Sequence, residues 1–129
     1  MARSVIKSPN SPNPIGPYSH AVQINAAQGL IFTSGQVALN AETGEMVQDS
    51  IASETKQVME NLEKILHSAG VSFSDVAKST IFLTNLDDFA EVNEVYGSFF
   101  QGDFPARETV QVVRLPRNAR VEISMIASL

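Results

Sequence analysis

FPARETVQVVRLPRNARVEIS, residues 104–124, reads as two strands joined by a short turn. β-Branched residues recur in both arms, about 107–114 and about 119–127, and Pro116 and Asn118 mark the turn between them. One residue is out of place. Arg107 stands at the mouth of the first strand, directly behind Phe104-Pro105-Ala106. A guanidinium never loses its charge and offers paired N–H donors, so a strand that opens on arginine either opens into water or holds an anion.

Working outward, 76–84 (VAKSTIFLT) reads as another strand. A helix is expected over about 87–101, with Phe89, Val92, Tyr96, Phe99 and Phe100 on one stripe. Asn85 and Asp88 resemble a capping box at its start, and Gly102 stops it. A longer helix is expected over about 51–69, with Ile51, Val58, Leu62, Ile65, Leu66 and Ala69 on its apolar stripe. Asp49 or Ser50 caps it, Glu54 suits its positive end and Gly70 ends it. Residues 18–25 and 30–37 are strand-like, joined as a hairpin through AAQG, where Gly29 can take positive φ. Residues 8–17 (SPNSPNPIGP) hold four prolines and read as an ordered loop that delivers Tyr18. Residues 40–49 are polar, with a turn at Gly44.

The order is β-β-β-α-β-α-β-β, an α+β arrangement of one mixed sheet with two helices on one face, in a single domain over residues 1–129. The other face should alternate with polar residues. It does not: Leu30-Ile31-Phe32 and Ile81-Phe82-Leu83 are apolar on both sides. A second copy of the chain is the simplest cover, so an oligomer is expected.

Composition removes several function classes. The 129 residues contain no cysteine, which excludes disulfides, thiolate metal sites and cysteine nucleophiles and suits a reducing compartment. The net charge of -5 does not suit a general nucleic-acid binder, which needs a basic face. Arg114, Arg117 and Arg120 cluster around a turn and read as solvated or as a subunit contact. No apolar run approaches a membrane span of about 20 residues, and MARSVIKSPN lacks the apolar centre of a secretory signal, so a cytoplasmic protein is expected.

The chemistry-bearing residues are few. Arg107 either snorkels, pairs with a carboxylate such as Glu108 or a neighbour's Glu122, or grips a ligand carboxylate. Asn93 sits among the apolar stripe of Phe89 and Tyr96, so its amide must find a backbone partner or line a pocket. Thr33-Ser34-Gly35-Gln36 either simply ends a strand or admits a ligand close to backbone. Tyr18 is either core or interface, with its hydroxyl satisfied. His20 and His67 do not have ligand spacing, and no nucleophile elbow, Walker or dinucleotide motif is present.

IGPYS (15–19), TSGQV (33–37), a helix ending in AG (69–70), DDFAEVNEVY (87–96), FPARETVQVVRLP (104–116) and VEIS (121–124) together resemble the RidA/YjgF family of reactive-intermediate deaminases, across essentially the whole chain. The resemblance implies a chorismate-mutase-like homotrimer, sheets inward, with ligand clefts between subunits. It implies hydrolysis of 2-enamine and 2-imine acids, such as those made from serine or threonine by dehydratases, to 2-oxo acids and ammonia, without metal or organic cofactor. Arg107 would be the catalytic clamp on the substrate carboxylate, with Tyr18, Ser34, Gly35, Phe89, Asn93, Thr109 and Ser124 lining the cleft. Two positions depart from the pattern. Thr109 stands where relatives often carry cysteine. Ser124 stands where the family pattern V-E-I-E has its second Glu, and a serine hydroxyl is a poor base. Glu122 shares a strand face with Ser124 but matches the first Glu of the pattern and is not assigned a catalytic role. The departure at 124 implies weaker turnover, another substrate, or a non-catalytic carboxylate-binding, regulatory or chaperone-like module. An endoribonuclease or translation inhibitor, activities attributed to some relatives, fits the acidic charge less well.

Overall fold

The computed structural model describes residues 3–25 and 28–129. Eight regular elements run in the expected order, the first of them in a stretch to which the sequence reading assigned no strand: β1 (Arg3–Ile6), β2 (Ala21–Ile24), β3 (Leu30–Phe32), α1 (Ile51–Ser68), β4 (Val76–Leu83), α2 (Phe89–Ser98), β5 (Ala106–Gln111) and β6 (Val121–Ser128). Short 3₁₀ turns precede β4, α2 and β6.

The strands divide into a four-stranded mixed sheet, order β3-β6-β4-β5, and a two-stranded ribbon of β1 with β2. β4 is antiparallel to β6 and parallel to β5. The two arms of residues 104–124 therefore flank β4 instead of pairing with each other. The connection from β5 to β6 is not a tight hairpin: it passes through Pro116–Asn118, where Arg117 and Asn118 take φ of 57° and 54°. Nor do β2 and β3 form the expected hairpin, since β2 pairs with β1 and β3 with β6. Of the AAQG connection, Ala26 and Ala27 lie outside the described residues, and Gly29 does not take positive φ. Its missing side chain instead leaves room for Leu129, whose Cδ1 would stand 2.9 Å from a Cβ there. Strand pairing is non-local, and turn signals alone do not choose the partner.

Ser50 caps α1 through a capping box with Ser53. Gly70, at φ 79°, follows its last turn. α2 departs from expectation at both ends. Asn85 accepts from the Asp87 amide and caps the 3₁₀ turn, Asp88 makes no capping bond, and the helix ends at Ser98, before Gly102.

Both helices pack on one face of the large sheet. Val58, Met59, Leu62 and Leu66 of α1, Val92 and Tyr96 of α2, Ile81 and Leu83 of β4, and Val121, Ile123 and Met125 of β6 form the buried core. Glu54, expected only to complement the helix end, is fully buried. Its carboxylate accepts from the Arg120 amide at 2.8 Å and from Arg120 Nε at 2.7 Å. Arg120 is thereby removed from the expected solvated cluster and ties the start of β6 to α1. Among the described residues the opposite face is left partly open: Leu30 is 48% and Phe32 67% exposed, as the two-sided apolar strands led one to expect. No helix among the described residues is long and apolar enough to cross a membrane.

Candidate active site

Strand register decides where Arg107 points. It lies opposite Ser79 of β4, which lies opposite Met125 of β6. Ser79 is buried under α2, its hydroxyl accepting from Tyr96 Oη at 2.9 Å. Arg107 therefore projects on the helix side, at the outer edge of the sheet, because β5 is the last strand.

Three aromatic rings surround it. The guanidinium carbon lies 5.3 Å from the Tyr96 ring centroid, 5.5 Å from Tyr18 and 5.6 Å from Phe89, distances at which ring quadrupoles attract a cation. Arg107 Nη1 donates to Asn93 Oδ1 at 2.5 Å. This answers what the amide does on an apolar stripe: its oxygen holds the arginine. No carboxylate pairs with Arg107 among the described residues. Glu108, one candidate, faces the other side and pairs with Lys78 at 2.6 Å. Burial pulls the Arg107 guanidinium below its ordinary value, against the fields of Tyr96 and Tyr18. Burial likewise pushes the Tyr96 hydroxyl up to about 12, so that ring is neutral and its hydroxyl is a donor.

The proline-rich loop sets the roof. The Ser19 amide donates to the Pro105 carbonyl at 3.1 Å, and Ser19 Oγ donates to the Phe104 carbonyl, tying the loop to the mouth of β5. His20 holds the loop's other end. Its Nδ1 accepts from the Ser8 amide at 3.0 Å, which leaves Nε2 to donate to the Pro12 carbonyl at 2.6 Å. Pro17 rests on α2 at Gly97, where a Cβ would come within 3.2 Å of the proline. Gly16 passes close over the site, 3.5 Å from Arg107 Nη2 to where its Cβ would be. Tyr96, Gly16, Pro17 and Gly97 were given no place in the site from the sequence. Tyr96 reads as ordinary core there, and loop-to-helix contacts leave no periodic signal.

The named residues fall into two groups. Tyr18, Phe89, Asn93, Arg107 and Thr109 share the helix side of β5, and Thr109 Oγ1 is buried without a hydrogen-bond partner among the described residues. Ser124 is elsewhere: it lies opposite Thr80, which lies opposite Glu108, so alternation places it on the uncovered face. Gly35 belongs with Ser124, because a Cβ there would stand 2.7 Å from Glu122 Oε2 on that same face. Ser34 is exposed beside it. One chain does not bring Ser34, Gly35 and Ser124 to Arg107.

The model of the family described as Endoribonuclease L-PSP matches residues 8–129. The chain belongs to this family, that of RidA and YjgF. Protein DfrA of Myxococcus xanthus is 53% identical over 127 residues, covering 98% of this chain and 96% of its own length. The 2-iminobutanoate/2-iminopropanoate deaminase of Mus musculus is 46% identical over 127 residues, covering 98% and 92%. Among solved structures, Escherichia coli TdcF with bound serine superimposes with a TM-score of 0.76 at 39% identity, covering 98% of each chain. The α+β fold of this RidA/YjgF-family chain is thus that of its relatives, and several of those relatives are named as imine deaminases.

Proposed function

We propose that the chain hydrolyses 2-imino and 2-enamino acids to 2-oxo acids and ammonia, with Arg107 gripping the substrate carboxylate. The observation that carries this is a half-buried guanidinium, held by three rings and one amide, that has no anion of its own among the described residues. A cation drawn partly out of water without a counter-ion is a site waiting for one. The planar fork suits a carboxylate, and Asn93 fixes its orientation. The deaminase names of relatives and the serine bound to TdcF point to the same class of small amino-acid-derived ligand.

The reaction asks little more of the protein. An imine carbon is already electrophilic, so water needs positioning more than a strong nucleophile. The carboxylate clamp would turn C2 towards that water, and Tyr18 and Phe89 would close the cleft around the substrate. Thr109, whose hydroxyl has no partner among the described residues, would meet the substrate beside the clamp. Ser34, Gly35 and Ser124 would come from a neighbouring copy. In this reading the uncovered sheet face packs in a homotrimer and the clefts lie between subunits. The endoribonuclease in the family's description gains no support from a net charge of -5.

The test is turnover. A threonine dehydratase generates 2-aminocrotonate in the cuvette, and its conversion to 2-oxobutanoate is timed with the wild type and with Arg107→Ala. Acceleration by the wild type alone is expected. If neither protein accelerates the reaction while both remain folded, the deaminase reading fails, and the cleft is better treated as a carboxylate-binding site without turnover.

A further inference from the structure

The loop that delivers Tyr18 is poor in groups that could hold it. Pro9, Pro12, Pro14 and Pro17 bring no N–H, and residues 9–15 are exposed. One side chain from outside the loop spans its first half. His20 Nδ1 accepts from the Ser8 amide at 3.0 Å, and His20 Nε2 donates to the Pro12 carbonyl at 2.6 Å. These bonds begin where the β1–β2 ladder stops. Ile6 and Ala21 form its last pair, and the next residues of the ribbon are Lys7 and His20. Beyond that point the imidazole takes over from the ladder. Pro12 leads through Asn13 and Pro14 to Ile15, whose amide donates to Tyr18 Oη at 3.4 Å. The Tyr18 ring lies 5.5 Å from the guanidinium carbon of Arg107. Ser19 ties down the far end of the loop, on Phe104 and Pro105; His20 ties down the near end.

These bonds define the state of the ring. A backbone N–H can only donate, so Nδ1 must present a lone pair, and a carbonyl can only accept, so the proton is on Nε2. Both bonds therefore belong to the neutral imidazole. A proton on Nδ1 would set one N–H against another across 3.0 Å, and the ring or the loop would have to move. Space for that movement exists. His20 is half-buried and borders a cavity of about 360 Å³ beneath the loop. The titratable side chains that line this cavity with it are Lys7, Tyr18 and Asp103, from the end of β1, the loop itself and the turn before β5. Histidine is the side chain that changes charge between about pH 5 and 8.

We propose that His20 is a positioning residue for Tyr18: its neutral imidazole latches the proline-rich loop over the Arg107 clamp, and protonation releases the loop, so that carboxylate affinity falls as the pH drops below neutral. The consequence for affinity rests on the reading of Arg107 as a carboxylate clamp; the latch rests on the contacts of His20 alone. Acid opens the latch and neutral pH closes it, because both bonds need the uncharged ring. Glutamine would copy that ring, with one acceptor, an N–H donor and nothing to titrate. Alanine would supply neither bond.

The experiment measures 2-oxobutanoate binding by calorimetry from about pH 8 down to about 5.5, for the wild type, His20→Gln and His20→Ala, with the Ser8 amide proton followed by NMR. Over this range the wild type is expected to lose about three- to tenfold more affinity than His20→Gln, the scale of one or two net hydrogen bonds. At the alkaline end the two should bind within about twofold of each other. The Ser8 amide proton should step upfield with acid in the wild type and not in His20→Gln. His20→Ala lacks the latch at every pH and should bind weakly throughout, without a step, so the proposal stays testable if the glutamine variant does not fold. Superimposable binding curves for the wild type and His20→Gln would overturn the proposal. A wild type that binds no 2-oxobutanoate at any pH fails the clamp reading instead; the Ser8 amide then decides the latch by itself, which stands with the step and falls without it.

Discussion

Arg107 Nη1 and Asn93 Oδ1 meet at 2.5 Å, joining the edge strand β5 to the second turn of α2 across 14 positions of sequence. The amide orients the fork without cancelling its charge. Asn93→Asp would put a carboxylate in the same place. The arginine would gain a counter-ion, and a substrate carboxylate would have to compete with it. The expected result is KM for 2-aminocrotonate raised ~10- to 100-fold, with thermal stability equal to or above that of the wild type. Steady-state kinetics with a melting curve checks both; an unchanged KM means Arg107 does not bind the substrate carboxylate.

Gly97 sits inside α2 under Pro17. Alanine there should favour the helix by ~0.5–1 kcal/mol, while its methyl presses on the loop that carries Tyr18. Stability and affinity are therefore expected to part company: an equal or higher urea midpoint, and KM raised several-fold. If KM does not change, this contact does not set the position of the Tyr18 ring.

Glu54 is fully buried, and both its oxygens accept from Arg120. Glu54→Gln removes the charge and turns an NH₂ group towards donors. A loss of ~3–5 kcal/mol is expected, the scale for breaking one side of a buried pair. Urea unfolding measures it; a loss below ~1 kcal/mol would mean that water reaches Arg120 and replaces the carboxylate.

Burial holds the Tyr96 hydroxyl protonated to about pH 12, against an ordinary 10.0. Between those values the unfolded chain has released the proton and the folded chain has not. The unfolded state then binds fewer protons, so stability falls as pH rises through this window, by ~2–3 kcal/mol in all. Tyr96→Phe should start less stable, because Ser79 loses its donor, and should lack this part of the alkaline decline. Unfolding free energies at pH 9 to 12 compare the slopes; parallel curves for the two proteins would refute the assignment to Tyr96.

Much of this was legible in the chain. The stripe from Ile51 to Leu66 marks α1, and the β-branched run of 76–84 marks β4, because side-chain periodicity is a local property. Asn93 betrayed itself as a polar group on an apolar stripe. The apolar second face of β3 and β4 announced a missing cover. Buried Glu54 was not legible: an acid near a helix start reads as a partner for the helix dipole, and its cation lies 66 residues away. The partners of β2 and β5 were not legible either, since turn signals alone allowed β2 to pair with β3 and β5 with β6 in place of the strands before them.

By itself the sequence determined the element order, the family, and the short list headed by Arg107. It did so because helical stripes, strand alternation and turn residues act over a few positions. Only the tertiary structure decided that β4 lies between β5 and β6, and with it that Arg107 and Ser124 leave opposite faces of one sheet. A period of two tells which residues of a strand share a face. Which face is covered, and by what, depends on burying apolar area between segments far apart in the chain.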